Sequence, residues 1–120
     1  MQLVNWQYTL AFENGGLRIV KNGKTLYFNA RPIYVSVKTM GAISIFGDIP
    51  YDHVSQDGEK VCADGVYTSK NGSQFAINDE YSVSGEEFKI ARSVKVLKKG
   101  DEDLGFQTKI GFWATEADRS

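Results

Sequence analysis

Hydrophobic and polar residues alternate along most of the chain. Near its start, one face of the pattern holds Val4, Trp6, Tyr8, Leu10 and Phe12. The positions between them are mostly polar. A period of two is the signature of a β-strand with one buried face. The pattern therefore predicts a single strand through these residues.

Pairs of Asn or Asp with Gly divide the rest of the chain into short intervals. They occur at Asn14-Gly15, Asn22-Gly23, Asp57-Gly58, Asp64-Gly65 and Asn71-Gly72. These pairs readily adopt the positive φ angles that tight hairpin turns require. We predict a turn at each pair and a strand in each interval between them.

Two long alternating segments lie near the end of the chain, Glu86–Leu97 and Leu104–Ala114. The connector between them, residues 98–103, is polar apart from one glycine, so we expect the two segments to form a long hairpin. The stretch from Gly47 to Gln56 lacks alternation and carries a proline, which predicts an irregular loop. No segment combines a cap with an apolar helical stripe, so no helix is expected.

These elements predict an all-β fold, an antiparallel β-sandwich of about nine to ten strands, with a closed barrel as the alternative. A length of 120 residues fits one domain, residues 1–120. The order of the strands in the sheets cannot be read from these patterns.

Composition narrows the function only by exclusion. Hydrophobic residues make up 42% of the chain and the net charge is −1, so we expect neither a disordered chain nor a nucleic-acid or membrane partner. One cysteine and one histidine, Cys62 and His53, match no disulfide or metal-ligand pattern, and no cofactor, metal or catalytic residue is predicted. The start of the chain does not resemble a secretory signal, which would fit a cytoplasmic protein if the chain were complete; the compartment stays undecided.

Arg92 is the most informative single residue. It lies an even number of residues from Phe88, Ile90, Val94 and Val96, and alternate residues of a strand share a face. We call this shared position parity, and it predicts that the Arg92 side chain points toward the apolar face. An unpaired guanidinium is costly to bury, so it requires a partner. One interpretation is a structural ion pair, with Asp79 or Glu80 as the carboxylate, or a strand end where parity no longer implies burial. The other is an arginine that faces a ligand inside a barrel or on a concave sheet.

Two aromatic side chains are predicted to point away from the core. Trp113 has the parity opposite to Phe112, and Tyr34 has the parity opposite to Ile33 and Val35. Either ring could belong to a sugar-binding platform, to an interface with another domain, or to ordinary packing at the rim of the sandwich.

The segments Phe75–Val96 and Asp103–Thr108 contain Asp79, Tyr81, Val83 and Gly85, then Arg92, Val94 and Val96, then Gly105-Phe106. With these positions, the two segments resemble the N-terminal β-sandwich, or supersandwich, of bacterial multidomain glycoside-hydrolase-like proteins. The resemblance implies an accessory domain that precedes a helical catalytic domain of the (α/α) toroid type. It implies no catalytic residue in this chain. Asp79 and Tyr81 join Arg92, Trp113 and Tyr34 as candidate ligand-binding residues.

Three functional hypotheses follow from these observations. The first is a non-catalytic accessory or carbohydrate-associated domain, whose partners would be a C-terminal catalytic domain of the same polypeptide and a carbohydrate. It predicts an exposed apolar or aromatic patch. The second is a self-contained β-barrel that binds a small amphipathic ligand through an inward-facing Arg92. The third, ranked last, is a stand-alone sandwich enzyme such as a sugar isomerase; the chain alone is not expected to be an enzyme, although its parent protein could be a glycoside hydrolase.

Overall fold

The computed structural model describes residues 1–5, 7–41, 44–85 and 87–109, and these residues form eleven β-strands and no helix. The strands are β1 (Gln2–Asn5), β2 (Tyr8–Glu13), β3 (Gly16–Lys21), β4 (Lys24–Asn29), β5 (Ile33–Thr39), β6 (Ser44–Ile49), β7 (His53–Asp57), β8 (Lys60–Thr68), β9 (Gln74–Ser84), β10 (Glu87–Lys98) and β11 (Asp103–Lys109). The predicted all-β class is confirmed, with one strand more than the upper expected number.

The described strands form three antiparallel sheets. Their orders are β1-β2-β3-β4, β10-β9-β8-β7 and β11-β5-β6. The arrangement is consistent with a β-sandwich, and no closed barrel forms among the described strands. The barrel alternative is therefore wrong for this part of the chain.

All three sheets contribute side chains to one core. The core residues are Leu3, Leu10, Phe12, Leu17, Ile33, Val35, Tyr51, Val61, Ala63, Ile77 and Tyr81. They alternate with more exposed positions along their strands, as the period of two predicts. Phe12 of the first sheet meets Tyr81 of the second edge to face, with ring centroids 4.9 Å apart. This contact joins two layers of the sandwich.

The predicted first strand is in fact a hairpin. β1 and β2 pair with each other, and Leu3 lies opposite Leu10 with both side chains buried. Val4, which was expected on the buried face, is 60% exposed. The apparent alternation continued through the connection between the two strands, so the pattern concealed the change of direction.

Two predicted turns behave differently from each other. At Asn14-Gly15 both residues have positive φ, 52° and 78°, as a tight hairpin turn requires. At Asp64-Gly65, however, β8 continues without a turn. A Cβ atom on Gly65 would lie 2.9 Å from Ile33 Cδ1 and 3.2 Å from the carbonyl oxygen of Pro50. This glycine therefore allows close packing rather than chain reversal.

The predicted irregular loop from Gly47 to Gln56 is mostly strand. β6 ends at Ile49 and β7 begins at His53. Only residues 50–52 lie between them, and they include the buried Tyr51. Strand formation here depends on pairing with β5 and β8, which the local pattern does not reveal.

The predicted long hairpin near the end of the chain is also wrong. β10 pairs with β9 in one sheet, whereas β11 pairs with β5 in another. Asp103, the first residue of β11, is buried and accepts hydrogen bonds from Ser69 and Ser73 in the β8–β9 connection. The two strands therefore lie on different sheets of the sandwich instead of next to each other in one ladder.

Candidate functional site: a buried Arg–Asp–Tyr cluster

Arg92 and Asp79 form an ion pair inside the sandwich. They face each other across the β9–β10 ladder. Arg92 Nε donates to Asp79 Oδ1 and Arg92 Nη2 donates to Asp79 Oδ2, both at 2.5 Å. The Arg92 side chain is 5% exposed and that of Asp79 is fully buried. The inward direction of Arg92 agrees with the prediction from parity. Of the two carboxylates named as partners, Asp79 is the observed one, and Glu80 instead pairs with Lys60 at the surface.

Two tyrosine hydroxyls complete the environment of Asp79. Tyr51 donates to Asp79 Oδ2 at 2.5 Å, and the hydroxyls of Tyr51 and Tyr81 lie 2.5 Å apart. An ionised carboxylate can only accept hydrogen bonds, so the single hydroxyl proton of Tyr51 goes to Asp79. Tyr81 must then donate to Tyr51, which gives one continuous direction of donation toward the carboxylate.

Backbone hydrogen bonds fix the position of Tyr51, although this residue lies outside any strand. Its backbone N–H donates to the carbonyl of Gly15 in the β2–β3 turn at 2.8 Å. The next residue, Asp52, donates its N–H to the carbonyl of Asp64 at 2.7 Å. The connection between β6 and β7 is thus anchored on both sides, and the Tyr51 ring points into the core.

The cluster also reaches the third sheet. Arg92 Nη1 donates to Thr108 Oγ1 at 2.7 Å, and Thr108 Oγ1 donates to the backbone carbonyl of Tyr34 at 2.6 Å. Arg92 Nη2 additionally lies 3.5 Å from the carbonyl of Pro32. One guanidinium therefore links β9 and β10 to both β11 and β5.

Burial controls the protonation of these groups. It raises the pKa of Tyr81 to about 12 and raises that of Tyr51 still further, with the charge of Asp79 adding to both shifts. Burial alone would lower the pKa of Arg92, but the hydrogen bonds and charge of Asp79 outweigh it, and the net shift is upward. Both phenols are therefore neutral around neutral pH, and Arg92 keeps its positive charge.

This arrangement is suited to structure rather than to catalysis. Among the described residues, no buried side-chain nitrogen or oxygen lacks a hydrogen-bond partner. Asp79 accepts three hydrogen bonds, and each nitrogen of the Arg92 guanidinium already donates at least one. A ligand would have to displace these bonds to reach either charge.

A second buried polar cluster surrounds Asp103. Ser69 Oγ donates to its carboxylate at 2.6 Å, Asn71 Nδ2 donates at 3.0 Å, and Ser73 Oγ also donates. These hydrogen bonds lower the pKa of Asp103. Burial and the nearby charge of Asp103 raise the pKa of Tyr67. The cluster fixes the point at which the chain passes from the β10 sheet to the β11 sheet.

The remaining candidates lie away from the buried cluster. The Tyr34 ring is partly exposed on the outer face of the β11-β5-β6 sheet, 6.2 Å from the ring of Phe46 between centroids. Trp113 lies outside the described residues. The five candidates thus separate into a buried group of Arg92, Asp79 and Tyr81, one surface aromatic, and one residue whose position is not described. Sequence reasoning missed Tyr51 and Thr108, which complete the buried group.

An apolar strip remains exposed near the point where the chain passes from β10 to β11. Val94 and Val96 continue the core-facing side of β10, opposite the buried Ile77 and Phe75, yet they are 40% and 59% exposed. Leu104 of β11 is also 59% exposed. Val96, Leu104 and the stacked rings of Phe75 and Phe106, 4.0 Å apart, line a groove of about 170 Å³. We call Val94, Val96 and Leu104, with the floor of Phe75 and Phe106, the open seam.

The described residues contain no group of three or more His, Cys, Asp or Glu side chains placed to hold a metal ion. His53 instead lies beside Asp64 on the surface, with Nδ1 3.0 Å from the carboxylate. The residues that the structure describes form no helix long and apolar enough to span a membrane.

Comparison with known proteins adds no assignment: no protein-family model, no curated protein and no solved structure matches this chain.

Proposed function

We propose that this chain is a non-catalytic accessory β-sandwich domain that packs against another folded domain of the same polypeptide through the open seam. The observation that carries the proposal is the exposure of Val94, Val96 and Leu104 on a surface that continues the core. Contiguous apolar surface of this kind is typical of a site of association with another protein surface.

The buried cluster supports a non-catalytic role. Arg92 and Asp79 neutralise each other in the interior, and their hydrogen bonds are already made within the chain. The same arrangement gives less support to the alternative, a barrel that binds an amphipathic ligand through Arg92. In that alternative, the guanidinium would need donors directed into a cavity.

The resemblance to glycoside-hydrolase-associated sandwiches suggests the identity of the partner. On that basis we propose a helical toroid catalytic domain, following this domain in a bacterial carbohydrate-active protein. The seam would then be buried in the domain interface, with the catalytic groups on the toroid.

Hydrogen–deuterium exchange tests this proposal directly. The 120-residue chain would be compared with the full polypeptide encoded by the complete open reading frame. We expect amides of β10 and β11 to exchange at least tenfold more slowly in the full polypeptide. The V96E/L104E double variant should lose this protection, while Val4→Glu, at a valine of matching exposure on β1, should keep it.

Three results would contradict the proposal. The reading frame could encode no further domain, or protection could be the same in the short and full chains. The isolated chain could also form a dimer by light scattering that V96E/L104E dissociates, in which case the seam is a contact between copies of this chain.

A further inference from the structure

The second half of β10 is a sheet edge that the rest of the fold leaves exposed. Among the described strands β10 pairs only with β9, so the other side of its backbone meets no neighbouring strand there. Every residue from Ser93 to Lys98 is exposed, whereas Ile77 and Phe75, opposite Val94 and Val96 on β9, are buried. A long, exposed edge strand is a template for pairing with a further strand.

The two faces of this edge have different chemical character. Val94 and Val96 belong to the open seam on the core side. Lys95 alternates with them and therefore lies on the outer face. A bulge after Val96 brings Lys98 to the same outer face, because Lys98 pairs with Gln74, which alternates with the buried residues of β9. The edge is thus apolar on one face and basic on the other.

The two lysines of this edge have no counter-ion in the described part of the chain. Their cross-strand neighbours, Ala76 and Gln74, are uncharged. The acidic pair at residues 101–102 follows in the turn before β11, but no described ion pair joins it to Lys95 or Lys98. Both lysines are exposed and available to carboxylates from outside the domain.

We propose that the exposed half of β10 accepts an added strand from the adjoining domain, a segment in which apolar residues alternate with Asp or Glu. Successive side chains of a strand point to opposite faces, so the apolar residues would cover the open seam while the carboxylates face Lys95 and Lys98. Main-chain hydrogen bonds to β10 supply affinity in this mode of recognition, and the alternating side chains supply specificity. The inference rests on the proposed docking role and names the part of the partner that the seam receives.

Charge selects this occupant over a second copy of the chain. Antiparallel pairing of two copies through the exposed halves of β10 would place Lys95 and Lys98 of both copies on one face. Like charges opposite each other in a ladder are destabilising. Lysines on an edge strand are a common device against self-association, and they remain compatible with a strand that carries carboxylates.

Peptide binding to the 120-residue chain, measured by isothermal titration calorimetry, tests strand addition. The probe is an end-capped heptapeptide of alternating valine and glutamate, compared with a peptide in which lysine replaces glutamate. We expect the glutamate peptide to bind roughly tenfold more tightly. K95E/K98E should reverse this preference, whereas K24E/K38E, which changes the net charge equally at exposed lysines elsewhere, should retain it. Circular dichroism should confirm that each variant is folded.

Methylation of the peptide backbone separates strand pairing from side-chain attraction. N-methylation of alternate residues removes the amide donors along one edge of the glutamate peptide and keeps every side chain. We expect methylation along one edge to abolish binding and methylation along the other edge to preserve it, because only one edge faces β10.

The proposal is overturned if the glutamate peptide does not bind, if the two peptides bind equally, or if methylation along either edge has no effect. Any of these results, combined with exchange protection that V96E/L104E removes in the full polypeptide, would leave the docking role intact without an added strand. Peptide binding without such protection would overturn the adjoining domain as the source of the strand.

Discussion

Among single residues, Asp79 has the most demanding position in this fold. Its carboxylate is fully buried and accepts hydrogen bonds from Arg92 and Tyr51. Removing a charge pair from water is costly, and only close geometry with all hydrogen bonds formed offsets that cost. Both conditions are met here, so the pair is tolerated in the core as long as both partners are present.

Substitution of Asp79 alone should therefore lower the free energy of unfolding far more than replacing both Asp79 and Arg92 with apolar residues. We expect D79A to lower the free energy of unfolding by about 3–5 kcal/mol, because it leaves the Arg92 charge buried without a counter-ion. The D79L/R92M double variant should recover much of this loss. Urea denaturation of the wild type, D79L, R92M and D79L/R92M measures the coupling between the two residues. A D79A loss below about 1 kcal/mol would contradict a buried, unrelieved charge.

Asp103 should make the fold sensitive to acid. Its pKa is lowered in the folded state by hydrogen bonds from Ser69, Ser73 and Asn71. A lowered folded pKa stabilises the protein above the ordinary aspartate pKa of about 4, and this stabilisation is lost as the pH falls through the folded value.

Urea denaturation between pH 2.5 and 7 measures this effect. D103N should remove part of the acid-dependent loss of stability that the wild type shows below about pH 4. Asp57→Asn, at the exposed end of β7, should leave the wild-type slope unchanged. Equal slopes in D103N and the wild type would contradict the assignment.

The sequence predicts the direction of a side chain correctly where alternation along one strand is enough to decide it. The parity of Arg92 along its strand indicated that its side chain points inward, and Asp79 was one of two carboxylates within reach. Tyr51 could not be found this way, because it lies in a three-residue connection with no alternation of its own. Thr108 enters the cluster only because β11 pairs with β5, which is a property of the sheet order.

At the scale of elements, local turn chemistry was a better guide than long-range pairing. Asn14-Gly15 and Asn22-Gly23 form the predicted turns because their φ preferences act within a few residues. The pairing of β11 with β5 connects distant parts of the chain, and nothing in either segment specifies the other. The same limit explains why the pattern predicts a loop from Gly47 to Gln56, where the structure has the second half of β6 and most of β7.

Gly65 offers an element-scale prediction, because β8 packs closely against β5 at this point. Gly65→Ala would place Cβ against Ile33 and the Pro50 carbonyl, and we expect it to lower the free energy of unfolding by about 1–3 kcal/mol. Gly41→Ala is the control, since among the described residues its Cβ would meet only Thr39 Oγ1 at 3.9 Å, and it should change stability by less than about 0.5 kcal/mol. Thermal and urea denaturation compare them; equal effects would show that close packing at Gly65 is not the cause.

For the whole molecule, the buried cluster acts as a junction between sheets. Arg92 contacts Asp79 within its own sheet and Thr108 in the β11-β5-β6 sheet, while Tyr51 enters from the β6–β7 connection. These contacts join residues far apart in sequence, so they form only when the sheets come together. Folds dominated by such non-local contacts are slow to form, and we expect this chain to refold in milliseconds to seconds.

The two tyrosines of that junction give the protein a built-in optical reporter. In an unfolded chain a phenol ionises near pH 10, whereas in the fold the pKa of Tyr81 is raised to about 12 and that of Tyr51 is higher still. A raised folded pKa means that stability is retained below pH 10 and declines as alkali is added above it. Phenolate absorbance should therefore rise abruptly where alkali unfolds the sandwich, and Tyr51→Phe should make that rise smaller.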